Sequence, residues 1–172
     1  HGGYRASFFR AELLTALQIL EGGHVSAPNM IGSWAGAMGH TQFIPTTYNA
    51  YAVDFDGDGR RNIWTSPVDA LASTAAYLDR MGWQAGKTWG YEVELAPSFN
   101  SKNAGKSRTL GEWRKLGVTR VGGKAFPRPS DTATLLLPAG RKGPAFLLLK
   151  NFGVIKRYNV STSYALAVGH LA

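Results

Sequence analysis

The chain has 172 residues, of which 44% are hydrophobic and 17% are charged. This length suits one globular domain, and the apolar fraction supports a buried core, which excludes a disordered chain. The net charge of +8 favours an anionic partner, and the lack of cysteine excludes disulfides, thiolate metal sites and a cysteine nucleophile. No apolar run approaches the roughly 18 residues of a membrane-spanning helix, so no transmembrane segment is predicted.

Two helices are predicted in the first third of the chain. One runs from Ser7 to Leu20 and stops at Gly22, because apolar residues recur at helical spacing. Its apolar stripe consists of Phe9, Leu13, Leu17 and Leu20. A second, short helix begins near Pro45 and ends near Tyr51. Between them, the small residues of Gly32–Gly39 form either a tight turn or a helix packed against a neighbour.

A third helix begins after Ser66, which is a good N-cap followed by Pro67 at the first helical position. Asp69 is placed like the acid of a capping box, and Gly82 ends the helix. The predicted apolar stripe consists of Val68, Leu71, Ala75 and Leu78. Tyr77 lies on the opposite face, which is interpreted either as a groove wall or as a second packing contact.

The second half predicts a small antiparallel sheet. Thr132–Pro138 and Ala145–Lys150 form a hairpin, and Trp89–Leu95 alternates like a third strand. Short helices are expected at Leu110–Leu116 and Ser161–Leu171. The predicted fold class is therefore α+β, mainly helical, in a single domain over residues 1–172. The five tryptophans, Trp34, Trp64, Trp83, Trp89 and Trp113, are assigned to the core.

The segment from Asp54 to Asn62 is similar to the start of an EF-hand loop. Acids stand at the first, third and fifth positions and a glycine at the sixth, which suits wrapping around Ca²⁺. The twelfth position is Thr65 instead of glutamate, so Asp69 is expected to close the site. The predicted metal ligands are Asp54, Asp56, Asp58, Arg60 through its carbonyl, and Asp69. The alternative is a solvated acidic turn.

The segment Gly32–Trp64, GSWAGAMGHTQFIPTTYNAYAVDFDGDGRRNIW, resembles the membrane-bound lytic murein transglycosylase B family. The preceding FFRAELLTALQIL and the tail GPAFLLLKNFGVIKRYNVSTSYALAVGHLA extend the resemblance to nearly the whole chain. It implies a lysozyme-like fold and cleavage of the MurNAc–GlcNAc β-1,4 bond of peptidoglycan with a 1,6-anhydromuramoyl product. It also implies a periplasmic protein, and an outer-membrane anchor, if present, would lie upstream.

The resemblance implies that a single glutamate acts first as the acid and then as the base. In the family this glutamate precedes Ser or Thr, and none of the five glutamates here does so. Glu12 is the weak candidate and is interpreted as a surface or pairing residue. We therefore expect no catalytic residue in this chain. Residues 1–172 would be the C-terminal portion of a catalytic domain, inactive alone, with the acid upstream of His1.

The same resemblance places five residues in a substrate cleft: Ser33, Gln42, Tyr77, Tyr158 and Tyr164. A serine hydroxyl can orient the acid, a glutamine amide can bind an N-acetyl group, and tyrosine offers sugars an apolar face with a hydroxyl. The expected partners are peptidoglycan strands and a structural Ca²⁺ ion, with no specific nucleic acid and a monomeric chain. The alternative function is a peptidoglycan-binding module or pseudoenzyme without catalysis.

Overall fold

The computed structural model describes residues 5–172. His1, at which the predicted domain begins, lies outside the described residues. The chain divides into two compact units, residues 1–80 and 81–172, here called the helical unit and the sheet unit. The single domain stays a prediction, and each unit is described by itself.

The helical unit contains the three helices that the sequence predicts. They are α1 (Ala6–Glu21), α2 (Pro45–Tyr51) and α3 (Pro67–Arg80). Pro45 and Pro67 stand at the first helical positions, where the missing N–H has no intrahelical partner to lose. The ring of Tyr48 is fully buried, packs on Trp64 at 5.5 Å and donates from its hydroxyl to the Arg61 carbonyl at 2.7 Å.

The predicted buried face of α1 is wrong. Phe9, Leu13 and Leu17 are 46%, 61% and 52% exposed, whereas Glu12 and Ile19 are buried. The Glu12 carboxylate accepts hydrogen bonds from the backbone N–H of Thr46 at 3.0 Å and from its hydroxyl at 2.7 Å. These groups lie in the first turn of α2, where backbone N–H groups lack helical partners. The hydrogen bonds between Glu12 and Thr46 therefore orient the face of α1 that carries Glu12 towards the interior.

The predicted stripe of α3 is wrong for the same reason. Val68 and Leu71 are 47% and 73% exposed, and Asp69, Ala70 and Ser73 are buried instead. The Ser73 hydroxyl accepts from the backbone N–H of Val53 at 3.0 Å. Hydrogen bonds to the preceding loop thus set the orientation of this helix, against its apolar pattern.

The sheet unit contains a five-stranded antiparallel sheet in the order β2-β4-β5-β1-β3. The strands are β1 (Gly90–Leu95), β2 (Ser107–Thr109), β3 (Val118–Arg120), β4 (Thr132–Leu136) and β5 (Ala145–Leu148). The helices are α4 (Leu110–Lys115), α5 (Lys150–Tyr158) and α6 (Thr162–Leu171). The predicted hairpin, third strand and two helices are confirmed, and β2, β3 and α5 are additional.

Apolar clusters lie on both sides of the sheet. One includes the fully buried Trp113 of α4, whose indole N–H donates to the Ala133 carbonyl at 2.9 Å. The other joins Phe152 and Ile155 of α5 to Ala165 of α6. Burial on both sides explains why β5 carries the consecutive apolar residues Leu147 and Leu148, of which the first packs in one cluster and the second in the other.

Asn151 ties the segment before the sheet to α5. Its side chain is buried and makes three hydrogen bonds: it accepts from Gln84 N at 2.8 Å and donates to the carbonyls of Gln84 and Lys87 at 2.9 and 2.7 Å. Each bond satisfies a backbone group of the 84–87 segment.

We predict that Asn151→Ala lowers the free energy of unfolding by about 3 kcal/mol or more, because polar partners lose their bonds in a buried site. Urea denaturation measures this. The isosteric Asn151→Asp should be at least as damaging, because it places a carboxylate oxygen, which only accepts, against the two carbonyl oxygens of Gln84 and Lys87. Asn100→Ala removes one exposed bond to Lys102 N and is the control. Equal losses for Asn151→Ala and Asn100→Ala would contradict the prediction.

Candidate functional site

The glycine-rich segment Gly32–Gly39 is a tight turn and not a helix. Isolated β-bridges join Gly32 to Met38 and Met38 to Phe43. Inside the turn, Ser33 N donates to the Ala37 carbonyl at 2.7 Å, and Ala37 N donates to the Ser33 hydroxyl oxygen at 3.2 Å. The Ser33 hydroxyl is thereby held in place and retains its own proton for donation.

We call Asp54–Asn62 the acidic loop. The glycine-rich turn packs against the two residues that follow this loop, Ile63 and Trp64. His40 N donates to the Ile63 carbonyl at 2.9 Å, and the Trp64 indole donates to the Ile31 carbonyl at 3.0 Å. Gly39 has φ 57°, and a Cβ built on it would lie 2.5 Å from the Ile63 oxygen. Only glycine fits such an approach without a shift of the backbone.

A pocket of about 450 Å³ lies beside the turn, and it contains two of the predicted substrate residues, Ser33 and Gln42. Its lining consists of Asn29, Ile31, Gly32, Ser33, Gly39, His40, Gln42, Trp64 and Thr65. We call it the loop pocket. Hydroxyl, amide and imidazole groups around one indole are chemically suited to a sugar.

Gln42 has an unusual backbone. Its φ is 52°, in the left-handed region that residues other than glycine seldom occupy. The side-chain amide donates to the Gly39 carbonyl at 2.9 Å, which fixes the plane of the amide. Such conformations cost of order 1–3 kcal/mol and cluster at functional sites.

Tyr77 does not line the loop pocket. Its ring packs against Phe43 at 5.7 Å and, edge-on, against Tyr51 at 5.0 Å, so the tyrosine is half-buried in an aromatic cluster of the helical unit. This contact matches the packing interpretation of Tyr77, and its contact with substrate stays a prediction.

Tyr158 and Tyr164 lie in the sheet unit. Tyr158 is the half-buried last residue of α5, and Tyr164 is in the first turn of α6 with 38% of its surface exposed. Ser161 caps α6 by accepting from Tyr164 N at 3.3 Å. The structure therefore presents these two tyrosines on either side of one short connection.

Three predicted metal ligands come together in the acidic loop. Carboxylate oxygens of Asp54, Asp56 and Asp69 lie within 4.8 Å of one another. The Asp58 carboxylate is not in this group, and it accepts from Arg60 N at 2.8 Å. A cluster of hard, anionic oxygen donors suits Ca²⁺ or Mg²⁺ and repels itself when no cation is bound.

Asp69 holds the loop closed. Its buried carboxylate accepts from Phe55 N and from Asn62 N, each at 2.8 Å, so one side chain joins the two ends of the loop. One part of the predicted helix cap is present, because Asp69 N donates to the Ser66 hydroxyl at 3.2 Å. The Asp69 carboxylate, however, accepts from Phe55 N and Asn62 N of the loop. Sequence spacing alone could not separate these two uses.

His24 and Arg61 form a contact beside the acidic loop that the sequence did not indicate. Arg61 N donates to Nδ1 of His24 at 3.3 Å, and the Arg61 guanidinium lies 3.1 Å from Nε2. Burial and the Arg61 charge lower the pKa of His24, which the Asp54 charge partly opposes. Burial raises the pKa of Tyr48, beneath Arg61, to about 12. His24 and Arg61 are 37 positions apart in the sequence, so no local motif connects them.

Trp34 corrects the assignment of all tryptophans to the core. Trp34 is 98% exposed, although its neighbour Ser33 lines the loop pocket. Trp83 is also exposed, at 37%, and Trp89 is half-buried. Trp64 and Trp113 are buried as predicted. An exposed indole in a turn of small residues is a candidate surface for a ligand.

The chain belongs to the transglycosylase SLT domain family, which it matches over residues 1–172. It is 36% identical over 171 residues to membrane-bound lytic murein transglycosylase B of Escherichia coli K12, covering 97% of this chain and 45% of that protein. The six helices and antiparallel sheet of the described residues match the lysozyme-like fold of lytic transglycosylases.

Solved structures show the same similarity. SltB3 from Pseudomonas aeruginosa, in complex with NAG-NAM-pentapeptide, is 58% identical with a TM-score of 0.92, over 97% of this chain and 46% of that one. Slt35 from Escherichia coli, in complex with calcium, is 36% identical with a TM-score of 0.79, over 97% and 53%. The chain thus spans about half the length of these relatives. Within the described residues, no helix is long and apolar enough to cross a membrane.

The lowered pKa of His24 predicts a pH effect on stability. The unfolded ring, with a pKa near 6.5, binds a proton more readily than the folded ring, so the free energy of unfolding falls as the pH drops below about 6.5. Urea denaturation in EDTA at pH 7.5 and 5.5 should show a larger loss for the natural chain than for His24→Gln. Equal slopes with pH would contradict the prediction.

Proposed function

We propose that this chain forms the substrate-binding part of a peptidoglycan lytic transglycosylase. The single observation that carries the proposal is the loop pocket, in which Ser33 and the left-handed Gln42 are fixed by backbone contacts. SltB3, the 58% identical relative, was solved with NAG-NAM-pentapeptide, which is a fragment of the proposed substrate. The site of action would be the periplasm, where peptidoglycan lies.

The proposed reaction cleaves the MurNAc–GlcNAc bond without water. A glutamic acid gives its proton to the oxygen that leaves C1 of the muramoyl sugar. The resulting carboxylate takes the proton of the C6 hydroxyl of the same sugar as that oxygen bonds to C1, which gives the 1,6-anhydro product. Most glycosidases use two carboxylates, and here the nucleophile belongs to the substrate.

The glutamate of this reaction is proposed to lie outside residues 1–172. The contacts of Glu12 support this, because both its oxygens accept from Thr46 and neither is presented to a ligand. Glu112 is engaged through one oxygen, Oε2, which accepts from Thr109 N and from the Thr109 hydroxyl. In this proposal, Ser33 orients the incoming acid and Gln42 binds an N-acetyl group, with Tyr77, Tyr158 and Tyr164 as further substrate contacts.

A structural Ca²⁺ ion is proposed in the acidic loop. Asp54, Asp56 and Asp69 supply the oxygen cluster, with Asp58 and the Arg60 carbonyl as the further predicted ligands. The calcium complex of Slt35 supports the choice of ion. Bound Ca²⁺ would neutralise the clustered carboxylates and keep the segment at Ile63 in the position on which the glycine turn packs.

Binding of chitotetraose tests the sugar site. We expect the chain to bind this oligomer without cleaving it, and Gln42→Ala to weaken binding about threefold to tenfold because one hydrogen bond is lost. Isothermal titration calorimetry gives the affinity. Gln18→Ala, an exposed glutamine on α1, is the matched control. No binding by the natural chain, or equal affinity for both variants, would refute the proposed role of the loop pocket.

Cleavage of purified peptidoglycan tests the reaction itself. Mass spectrometry should detect 1,6-anhydromuramoyl ends, each one water lighter than a hydrolysis product, when the upstream glutamate-bearing segment of the protein is joined to residues 1–172. Residues 1–172 alone should give none. A longer protein that binds peptidoglycan and leaves it intact would favour the non-catalytic module instead.

Calcium titration tests the acidic loop. At 100 times the dissociation constant, Ca²⁺ should raise the free energy of unfolding by about 2.7 kcal/mol, and EDTA should reverse this. Asp56→Asn should weaken Ca²⁺ binding, since it removes one anionic ligand while its oxygen can still accept from Asp58 N. Asp79→Asn makes the same charge change at an exposed site of α3 and should leave Ca²⁺ binding unchanged. A melting temperature that Ca²⁺ leaves unchanged would argue against the ion.

A further inference from the structure

Trp34 differs from the buried tryptophans of this chain in exposure and in hydrogen bonding. Trp64 and Trp113 are 8% and 0% exposed, and their indole N–H groups donate to backbone carbonyls at 3.0 and 2.9 Å. Trp34 is 98% exposed, and among residues 5–172 its indole N–H has no hydrogen-bond partner. Because tryptophan is highly buried on average, packing within the described residues does not account for this side chain.

Trp34 stands at the tip of a hydrogen-bonded turn. Trp34 and Ala35 are the central residues of a β-turn, which Gly36 N closes by donating to the Ser33 carbonyl at 2.9 Å. The two hydrogen bonds between Ser33 and Ala37 hold the base of this turn. The backbone that presents the indole is therefore fixed before any ligand binds, which lowers the entropy cost of binding.

The neighbours of Trp34 leave its ring open. The adjoining residues carry no side chain larger than the hydroxymethyl group of serine: they are Gly32, Ser33, Ala35, Gly36 and Ala37. With 98% exposure, both faces of the ring contact solvent. Such a ring can pack on the apolar face that the C–H groups of a pyranose present, while its N–H donates to a sugar hydroxyl.

The sequence around the turn carries no formal charge. Between Glu21 and Asp54 it contains no Asp, Glu, Lys or Arg, although the whole chain has a net charge of +8. A segment without cations has no specific attraction for phosphate or carboxylate groups. A ligand that binds through this segment is therefore recognised by apolar contact and hydrogen bonds, which suits an uncharged sugar.

The turn also places Trp34 next to the loop pocket. Ser33, the preceding residue, lines this pocket, and so does Ile31, which is 71% exposed. Consecutive Cα atoms are about 3.8 Å apart, so the backbone of Trp34 lies directly beside the pocket. A glycan strand with one sugar in the loop pocket would have a neighbouring sugar at this turn.

We propose that Trp34 forms a second sugar subsite, at which the indole packs on the sugar adjacent to the one in the loop pocket. The inference rests on the proposed function, because it takes Ser33 and Gln42 to bind the first sugar. The ligand at the second subsite is an uncharged N-acetylated pyranose of the same strand. The ring of Trp34 would then add affinity for oligomers without taking part in the reaction.

NMR spectra of the ¹⁵N-labelled chain locate the bound oligomer. The indole N–H signal that is missing from the spectrum of Trp34→Phe belongs to Trp34. Titration with chitotetraose should shift this signal. The signal of the fully buried Trp113, assigned in the same way from Trp113→Phe, should stay unchanged and is the control for a general change of the fold.

Isothermal titration calorimetry measures what the ring contributes. Trp34→Ala should weaken chitotetraose binding about fivefold, and Trp34→Phe less than about twofold, because an aromatic ring remains. Leu71→Ala removes an apolar side chain that is 73% exposed on α3 and should leave the affinity unchanged. Trp34→Ala should also unfold at the same urea concentration as the natural chain, since the exposed indole buries little surface on folding.

Three results would overturn the second subsite: a Trp34 signal that chitotetraose does not shift, equal affinities of Trp34→Ala and Leu71→Ala, or a lowered urea midpoint for Trp34→Ala. Gln42→Ala separates this inference from the proposed function. Binding that is weakened by Gln42→Ala and not by Trp34→Ala would overturn the second subsite alone. No binding of chitotetraose to the natural chain would overturn both.

The longer protein, with the upstream segment joined, distinguishes a sugar contact from a packing contact. Chitotetraose should still shift the Trp34 indole signal in this protein. A signal that the upstream segment moves and that chitotetraose then leaves unchanged would show that Trp34 packs against that segment, and it would overturn the proposal.

Discussion

The helical unit depends on the hydrogen bonds that the Asp69 carboxylate accepts from both ends of the acidic loop. Phe55 N and Asn62 N each lie 2.8 Å from one of its oxygens, in a fully buried site. A polar group buried there is tolerated because both of its oxygens accept hydrogen bonds. The loop ends at Asn62, and the next residue is the one on which the glycine turn packs.

This chain of contacts connects the acidic loop to the shape of the loop pocket. Asp69 fixes Asn62, Ile63 receives the His40 N–H, and Trp64 donates to Ile31. Only the step from His40 to Ile63 joins backbone to backbone, and the other two depend on the Asp69 carboxylate and the Trp64 indole. In the proposed enzyme, a metal ion would therefore act on the pocket by holding a backbone segment and not by touching the substrate.

The sequence predicted the elements better than their orientation. Proline at the first helical position and glycine at the end are local signals, so α1, α2 and α3 were found close to their observed bounds. The buried faces of α1 and α3 were missed, because Glu12 and Asp69 bond to backbone groups 34 and 14 residues away. Apolar periodicity carries no information on such contacts. The same holds for the pocket: Ser33 and Gln42, which the family resemblance assigned to substrate, are close in sequence and line one pocket, and their role stays a prediction. The contact between His24 and Arg61, which are 37 positions apart, has no local sequence signal.

The contact between Gly39 and the Ile63 carbonyl has a consequence for how variant libraries of this domain should be interpreted. A complete scan of single substitutions would mark Gly39 as intolerant to every replacement, with a profile similar to that of a residue in direct contact with the glycan. The cause would be the 2.5 Å separation between any added Cβ and a carbonyl oxygen. Intolerance at this position reflects how closely two backbones approach. An assay of folding, run in parallel with the activity assay, would distinguish this cause from a role in substrate binding or catalysis.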